Sequence, residues 1–278
     1  RSPSPLTLGF LLYEMSDKRI DYIVEIQHML MEAGHAPVFA SKSLVDLSLD
    51  VKRVSRLVEA TDADAWIVCA GSRSILDWFA CQDFPAFTLF GGSLDRRFAG
   101  AGPNKNPAYR ECVNVLIELG HRRIVLLAKS QRRKPIPGES EQTFLEALEE
   151  GGIEVGEFHL PDWDDRKESL LSCLDSLFKV TPPTALIIQE ATVFTAVQQF
   201  LANRGLKVPA DVSLICSDPD PNFTWCEPTI AHIAWRSRPI VRRIIRWADK
   251  ISRGKKDLVK SFANAEFIEG GSVGVAKD

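Results

Sequence analysis

Near the C-terminus, Gly270-Gly-Ser-Val-Gly274 satisfies G-x-S-x-G, a spacing that in hydrolases exposes a serine nucleophile on a sharp turn between a strand and a helix. Only Val275 to Asp278 follow, so no helix is expected to complete that elbow. Asp218-Pro-Asp-Pro-Asn222 opens like a calcium loop, but Phe223 stands where a glycine is needed and Thr229 where a bidentate glutamate should be. A proline-stiffened loop is expected there instead. The five histidines, His28, His35, His121, His159 and His232, show no ligand spacing, and neither a phosphate-binding G-x-x-x-x-G-K-[ST] nor an H-E-x-x-H is present. His121 follows Gly120 at a predicted helix end, where structural use is expected. The six cysteines include no C-x-x-C pair and read as small buried thiols of a reducing compartment. The groups that nucleophilic, phosphate-binding and zinc chemistry would need are thus not found at the required spacing, and no cofactor and no metal is expected.

Polar residues behind apolar runs are the candidates for recognition, because ligands of open parallel sheets sit beyond the carboxyl ends of strands. Tyr13, Glu14, Ser16 and Asp17 follow the first such run, and Ser72 and Arg73 follow the third. Asp218 follows Leu214-Ile-Cys-Ser217, with Asp220 and Trp225 close behind. Together they suggest a polar, aromatic-lined and partly acidic cleft suited to a polyhydroxy or amine-bearing ligand.

The elements that must position them alternate short apolar runs with stretches of helical period, the pattern of a parallel sheet covered by helices. The predicted order begins with strand 8–13, a helix capped by Ser16 and Asp17 and stopped by Gly34, strand 37–40, helix 47–60 and strands 65–69 and 86–90. The stretch 91–107, rich in Gly, Asn and Pro, is expected to hold the first crossing between domains. A second series follows, with helix 108–119, strand 123–128, helix 139–150, strand 158–160, helix 166–179, strand 184–189, helix 193–204 and strand 212–217. Strand 230–234, helix 239–252 and strand 262–268 close it. These strands exceed what one compact sheet would hold, which predicts two similar lobes.

With 34 Lys+Arg against 37 Asp+Glu, the net charge of -3 is too balanced for bulk electrostatics to hold the chain to DNA. Of the two basic runs, 131–134 and 242–247, the second puts Arg242, Arg243 and Arg246 on a face expected to be solvated. No apolar stretch reaches the roughly 18 residues of a membrane span, and no secretory signal is visible, so no membrane partner and a cytoplasmic location are expected.

Three stretches carry a family resemblance. Leu116-Ile-Glu-Leu-Gly-His-Arg-Arg-Ile-Val125, Gly205-Leu-Lys-Val-Pro-Ala-Asp-Val-Ser-Leu-Ile215 and Phe267-Ile-Glu-Gly-Gly-Ser272 resemble, in order and spacing, signatures of the LacI/GalR family of bacterial transcription regulators. The resemblance implies an α/β fold of the periplasmic-binding-protein type I kind, with two Rossmann-like lobes whose parallel sheets are joined by three crossing segments. It places the N-terminal lobe at 6–103 plus 235–258 and the C-terminal lobe at 104–234 plus 259–278. It further implies a homodimer that is not an enzyme, binding a small, carbohydrate-like effector between the lobes. Operator DNA would be met only through an N-terminal helix-turn-helix headpiece that precedes the first strand in the family, where Arg1 to Pro5 stand here. The alternative is a solute-binding receptor of a transport system.

By family position, Trp163 matches an aromatic that packs on effector, and Asp218 an aspartate that accepts its hydroxyls or ring N–H groups. Other positions depart from the pattern. Ser140 stands where the family has an effector-binding arginine, Glu190-Ala191 where it has Asn-Asp, and Asn104-Lys105 where it has Asp-Asn. Ser140 and Glu190 remain site candidates, at a site unlike a familiar sugar or purine site.

Overall fold

The computed structural model describes residues 4–90 and 99–277. Residues 91–98, part of the expected first crossing, lie outside that range. In chain order the first elements are β1 (Thr7–Leu11), α1 (Asp21–Glu32), β2 (Ala36–Phe39), α2 (Val51–Glu59), β3 (Ala65–Cys69), α3 (Arg73–Ala80), β4 (Ala86–Leu89) and β5 (Ala99–Asn104). Next come α4 (Asn106–Glu118), β6 (Ile124–Leu127), α5 (Ser130–Arg133), α6 (Glu139–Glu150), α7 (Lys167–Val180) and β7 (Ala185–Ile188). The chain ends with α8 (Ala191–Asn203), β8 (Ser213–Cys216), β9 (Ala231–Trp235), α9 (Arg238–Ser252) and β10 (Lys260–Ile268). It divides into two units, 1–103 with 236–263, and 104–235 with 264–278. The last division falls inside β10, later than the resemblance implied.

In the first unit the strand order is β2-β1-β3-β4-β5, with β1 to β5 all parallel. β3 is buried along its whole length, as a strand covered on both faces must be. Trp66, Val68, Leu76 and Phe79 share one core with Leu11 and Val54. Asp50 caps α2 by accepting the Arg53 N–H at 2.9 Å, and Gly34, at a φ of 86°, lets the chain leave α1. Contrary to the expectation from sequence, Ser16 and Asp17 do not cap α1. They lie in a 3-10 turn, Met15–Arg19, where Glu14 and Asp17 cap each other's backbone, and α1 starts only after Ile20.

α9 returns to this unit, with Trp247 packed on Phe87 at 5.2 Å between ring centroids. Arg242 and Arg246 are exposed, but the expectation of a solvated face fails for Arg243, which is buried and paired with Asp257. The run read as one charged stripe is split because Arg243 falls on the same side as Ile240, Ile244 and Trp247.

In the second unit β6, β7, β8 and β9 run parallel in that order, and β10 pairs antiparallel with β9, unlike the all-parallel sheet expected. One face carries Ile124, Leu126 and Ile187 under α4 and α6, and the other Val125, Leu127 and Leu186 with α7 and α8. No strand forms at 158–160. That segment nevertheless lies along β6, since Leu126 N–H donates to the His159 carbonyl at 2.8 Å and the His159 ring contacts the Ile124 carbonyl at 2.7 Å. A histidine ring thereby takes one ladder position.

The G-x-S-x-G stretch is a structural clasp. Ser272 is fully buried, its Oγ accepting the Ala231 N–H at 2.9 Å and donating to the Leu214 carbonyl at 2.7 Å, so it ties β8 to β9. The Asp218–Asn222 loop runs into a 3-10 turn, Pro221–Trp225, capped by Asp220. Of the cysteines, Cys69, Cys112 and Cys216 are buried, whereas Cys81 is exposed and not the buried thiol expected. Among the described residues no helix is long and apolar enough to cross a membrane.

His121 is a buried joint. Its Nε2 meets the Gly274 carbonyl at 2.9 Å, so Nε2 carries the proton and Nδ1 accepts from Thr184 Oγ1 at 2.9 Å. Burial lowers its pKa against the opposing Gly274 hydrogen bond, and burial also lowers that of His35 against the Asp249 charge. The unfolded chain therefore binds these protons first as the pH falls. Their contribution to stability is whole above a pH of about 6.5 and is lost below it. Urea midpoints are expected to drop between pH 7.5 and 5.5, and to drop less in a variant with both histidines replaced by asparagine. Equal drops in the two proteins would show that neither histidine is responsible.

Candidate functional site

Each unit has a place where the chain leaves neighbouring strands in opposite directions, the position at which ligands of open parallel sheets lie beyond the strand carboxyl ends. In the first unit this is between β1 and β3. Tyr13, Ser16 and Asp17 follow β1, while Ser72 and Arg73 open α3 after β3. The two loops leave the carboxyl ends of paired strands, Leu11 of β1 lying opposite Val68 of β3, and burial, aided by the Asp17 charge, pushes the Cys69 thiol up. Asp17 accepts the Glu14 N–H at 2.9 Å, and Ser72 faces Ser74 at 3.2 Å between hydroxyls.

In the second unit the equivalent place is between β6 and β7, since the chain passes from β6 out to His159 before crossing to β7. A connected polar network fills it. Glu141, in the first turn of α6, is fully buried. Its Oε1 accepts from Arg132 Nε at 3.3 Å and from Gln189 Nε2, while Gln189 Oε1 accepts the Lys129 N–H at 3.2 Å. The Tyr109 phenol bonds to Ser217 and Gln189, and burial, aided by the Glu141 charge, pushes its pKa up. The protein crowded around the Arg132 guanidinium pulls it down, although 44% of the side chain is exposed, but the Glu141 carboxylate outweighs this and holds the side chain charged.

Around that centre each acid has a base of its own. Lys129 pairs with Glu190 at 2.9 Å, and Lys105 pairs with Asp218. Arg133 is committed to the Ala128 and Trp163 carbonyls and to Asp162, whose carboxyl Arg133 and Lys134 hold down at about 2. Ser140 is buried and donates to Asn106 Oδ1 at 3.1 Å. Cys216, ending β8, is no nucleophile, because burial pushes its thiol up to about 12.

The sequence candidates of this unit separate into groups. Glu190 and Asp218 enter the network as ion-paired carboxylates, and Ser140 borders it through Asn106. Trp163 is only 5% exposed, packed among Val125, Leu127 and Leu174, and its indole N–H has no partner among the described residues. Trp225 is 89% exposed, while its neighbour Phe223 packs inside. Sequence reasoning missed Tyr109, Lys129, Arg132, Glu141, Gln189 and Ser217. Gln189 and Ser217 were visible as the polar residues closing two apolar runs. Arg132 was hidden in a basic run, and Glu141 in what looks like an ordinary acidic helix start.

The sequence pattern of a family described as a periplasmic binding protein-like domain matches residues 113–273, which include all three signature stretches. The chain belongs to that family. Over 158 residues this family member is 28% identical to the probable HTH-type transcriptional regulator EndR of Paenibacillus polymyxa, covering 55% of this chain and 46% of EndR. Over 125 residues it is 29% identical to the HTH-type transcriptional repressor CytR of Escherichia coli (strain K12), covering 45% of this chain and 36% of CytR. The chain thus spans less than half the length of these curated relatives.

Solved structures match almost throughout. The transcription regulator CcpA of Lactococcus lactis superimposes with a TM-score of 0.80 at 16% identity, covering 97% of this chain and 100% of that one. A complex of the regulator CelR with cellobiose gives 0.78 at 18% identity, covering 96% and 84%. A LacI family regulator from Enterococcus faecium with bound ribose gives 0.77 at 16% identity, covering 98% and 100%. The fold of this periplasmic binding protein-like chain is that of the effector-binding core of LacI-type regulators.

Proposed function

We propose that the chain is the ligand-sensing core of a LacI/GalR-like transcription regulator. It binds a small, polar, carbohydrate-like effector between its lobes without transforming it, and it acts as a cytoplasmic homodimer. Operator DNA is reached through a helix-turn-helix headpiece, in keeping with the names of EndR and CytR. The observation that carries this reading is the network of Tyr109, Lys129, Glu141 and Gln189 at the β6/β7 switch point, a pre-built set of donors and acceptors. Its acids are matched by bases and its cysteine is inert, which suits recognition and supplies no general base or nucleophile. Binding shifts the receptor only by the difference in affinity between its arrangements.

A thermal-shift screen of mono- and disaccharides, polyols, sugar acids and sugar phosphates tests the reading. A ligand at a hundred times its Kd is expected to stabilise the native state by about 2.7 kcal/mol. Asp218→Asn and Gln189→Leu are each expected to weaken the hit about tenfold, the effect of losing one charge-assisted hydrogen bond. A hit that both variants bind as tightly as the wild type would remove the site assignment. Steady conversion of the hit to product would overturn the sensing role.

A further inference from the structure

The donors around the β6/β7 switch point are not equally available. Lys105 is spent on Asp218, Lys129 on Glu190, and Arg133 on two carbonyls and Asp162. Arg132 differs. Only its Nε is engaged, on Glu141, and neither Nη group has a partner among the described residues. Glu141 is fully buried, whereas the Arg132 side chain is 44% exposed. A guanidinium docked side-on against a buried carboxylate has its plane fixed, and its other edge stays open to solvent.

The acceptors point the same way. Asp218 and Glu190 already face lysines, so a cationic ligand finds no unspent acid there. Glu141 Oε2 lacks a partner, but it is closed off by the chain, since a Cβ on Gly138 would lie 2.6 Å from it. A neutral ligand would leave the forked donors half used. A planar or tetrahedral oxyanion matches both at once.

We propose that Arg132, braced by Glu141, is the residue that selects the effector, and that the group it selects is an oxyanion, the carboxylate or phosphate of a small polyhydroxy acid. This rests on the sensing-core reading and deepens it. Ser140, where the resemblance implied an arginine, is turned to Asn106 instead, so the guanidinium of this site comes from α5 rather than α6.

The test is calorimetric titration of the whole chain with D-glucose, D-gluconate and D-glucose 6-phosphate, in wild type and in Arg132→Lys, which keeps the charge but loses the fork. The wild type is expected to bind gluconate or glucose 6-phosphate at least about tenfold more tightly than glucose. Arg132→Lys should weaken that oxyanion by roughly 10- to 100-fold and glucose by less than about threefold, so that the preference for the anion falls toward parity. The preferred anion then distinguishes carboxylate from phosphate. Should Arg132→Lys fold poorly, judged by its circular dichroism, Arg132→Gln combined with Glu141→Gln replaces the ion pair by two amides and is expected to show the same loss. Glucose binding as tight as either anion, or an oxyanion affinity untouched by these variants, overturns the proposal while the sensing core stands. Binding of none of the three, with a thermal-shift hit among neutral sugars, overturns it likewise. No hit of any kind overturns both.

Discussion

Asp257→Ala is expected to lower the unfolding free energy by about 3–5 kcal/mol, because it strands a buried guanidinium. Arg243 reaches Asp257 with both Nη groups, at 3.1 and 2.7 Å, and one of them also donates to the Val259 carbonyl at 2.5 Å. The Asp257 carboxylate is fully buried and accepts in addition from Lys250 and from the Val259 N–H. Alanine would leave Arg243, itself 7% exposed against Phe87, with a single carbonyl as acceptor. Burial alone would push the Asp257 carboxyl up. The Val259, Arg243 and Lys250 hydrogen bonds outweigh it and hold the pKa below the usual range. This stabilisation is therefore present above a pH of about 3.9 and is lost as the pH falls through the lower, folded value. Urea melts at pH 7 measure the loss. Arg243→Met with Asp257→Leu should recover most of it, since a well-packed apolar pair replaces a buried ion pair at little cost. An Asp257→Ala midpoint equal to the wild type would mean that the pair is solvated.

Gly270→Ala is expected to cost about 3 kcal/mol, the upper end for overpacking. A Cβ there would lie 2.4 Å from the Ala231 nitrogen and 2.6 Å from the Ile230 carbonyl carbon, backbone atoms that no rotamer change can move. That same nitrogen donates to Ser272 Oγ, so yielding to the methyl group would also break the clasp between β8 and β9. Gly156→Ala is the control, because nothing lies within 4 Å of its Cβ position, and a change within about 0.5 kcal/mol is expected. Comparable thermal midpoints for the two variants would show that the β9 end yields to the methyl group without cost.

The fold was largely legible because its signal is periodic. Buried strands such as β3 and β7 read as unbroken apolar runs, and helices such as α6 and α9 as amphipathic stripes, with Gly34 and Gly120 marking helix ends. Failures came where a side chain did the work of backbone or crossed between elements. His159 took a ladder position and no strand formed, and Arg243 lay beside two exposed arginines yet found an acid 14 residues on. The site was legible as a location rather than as a set of contacts. Asp218 and Glu190 could be found by their position after apolar runs, but their lysine partners could not, since Lys105 and Asp218 are 113 residues apart. Arg132 and Glu141, nine apart, read as solvated charges, because nothing local distinguishes a buried carboxylate from an exposed one.

Neither unit is a continuous piece of chain. The first needs residues 236–263 and the second residues 264–278, with β10 divided between them. During synthesis the early βα segments must therefore wait on the ribosome with an open flank until α9 brings Trp247 to Phe87 and Ser272 clasps β8 to β9. Maturation is then nearly simultaneous for both halves, and a premature stop codon between about residues 104 and 236 would leave two unfinished bodies instead of one finished and one missing.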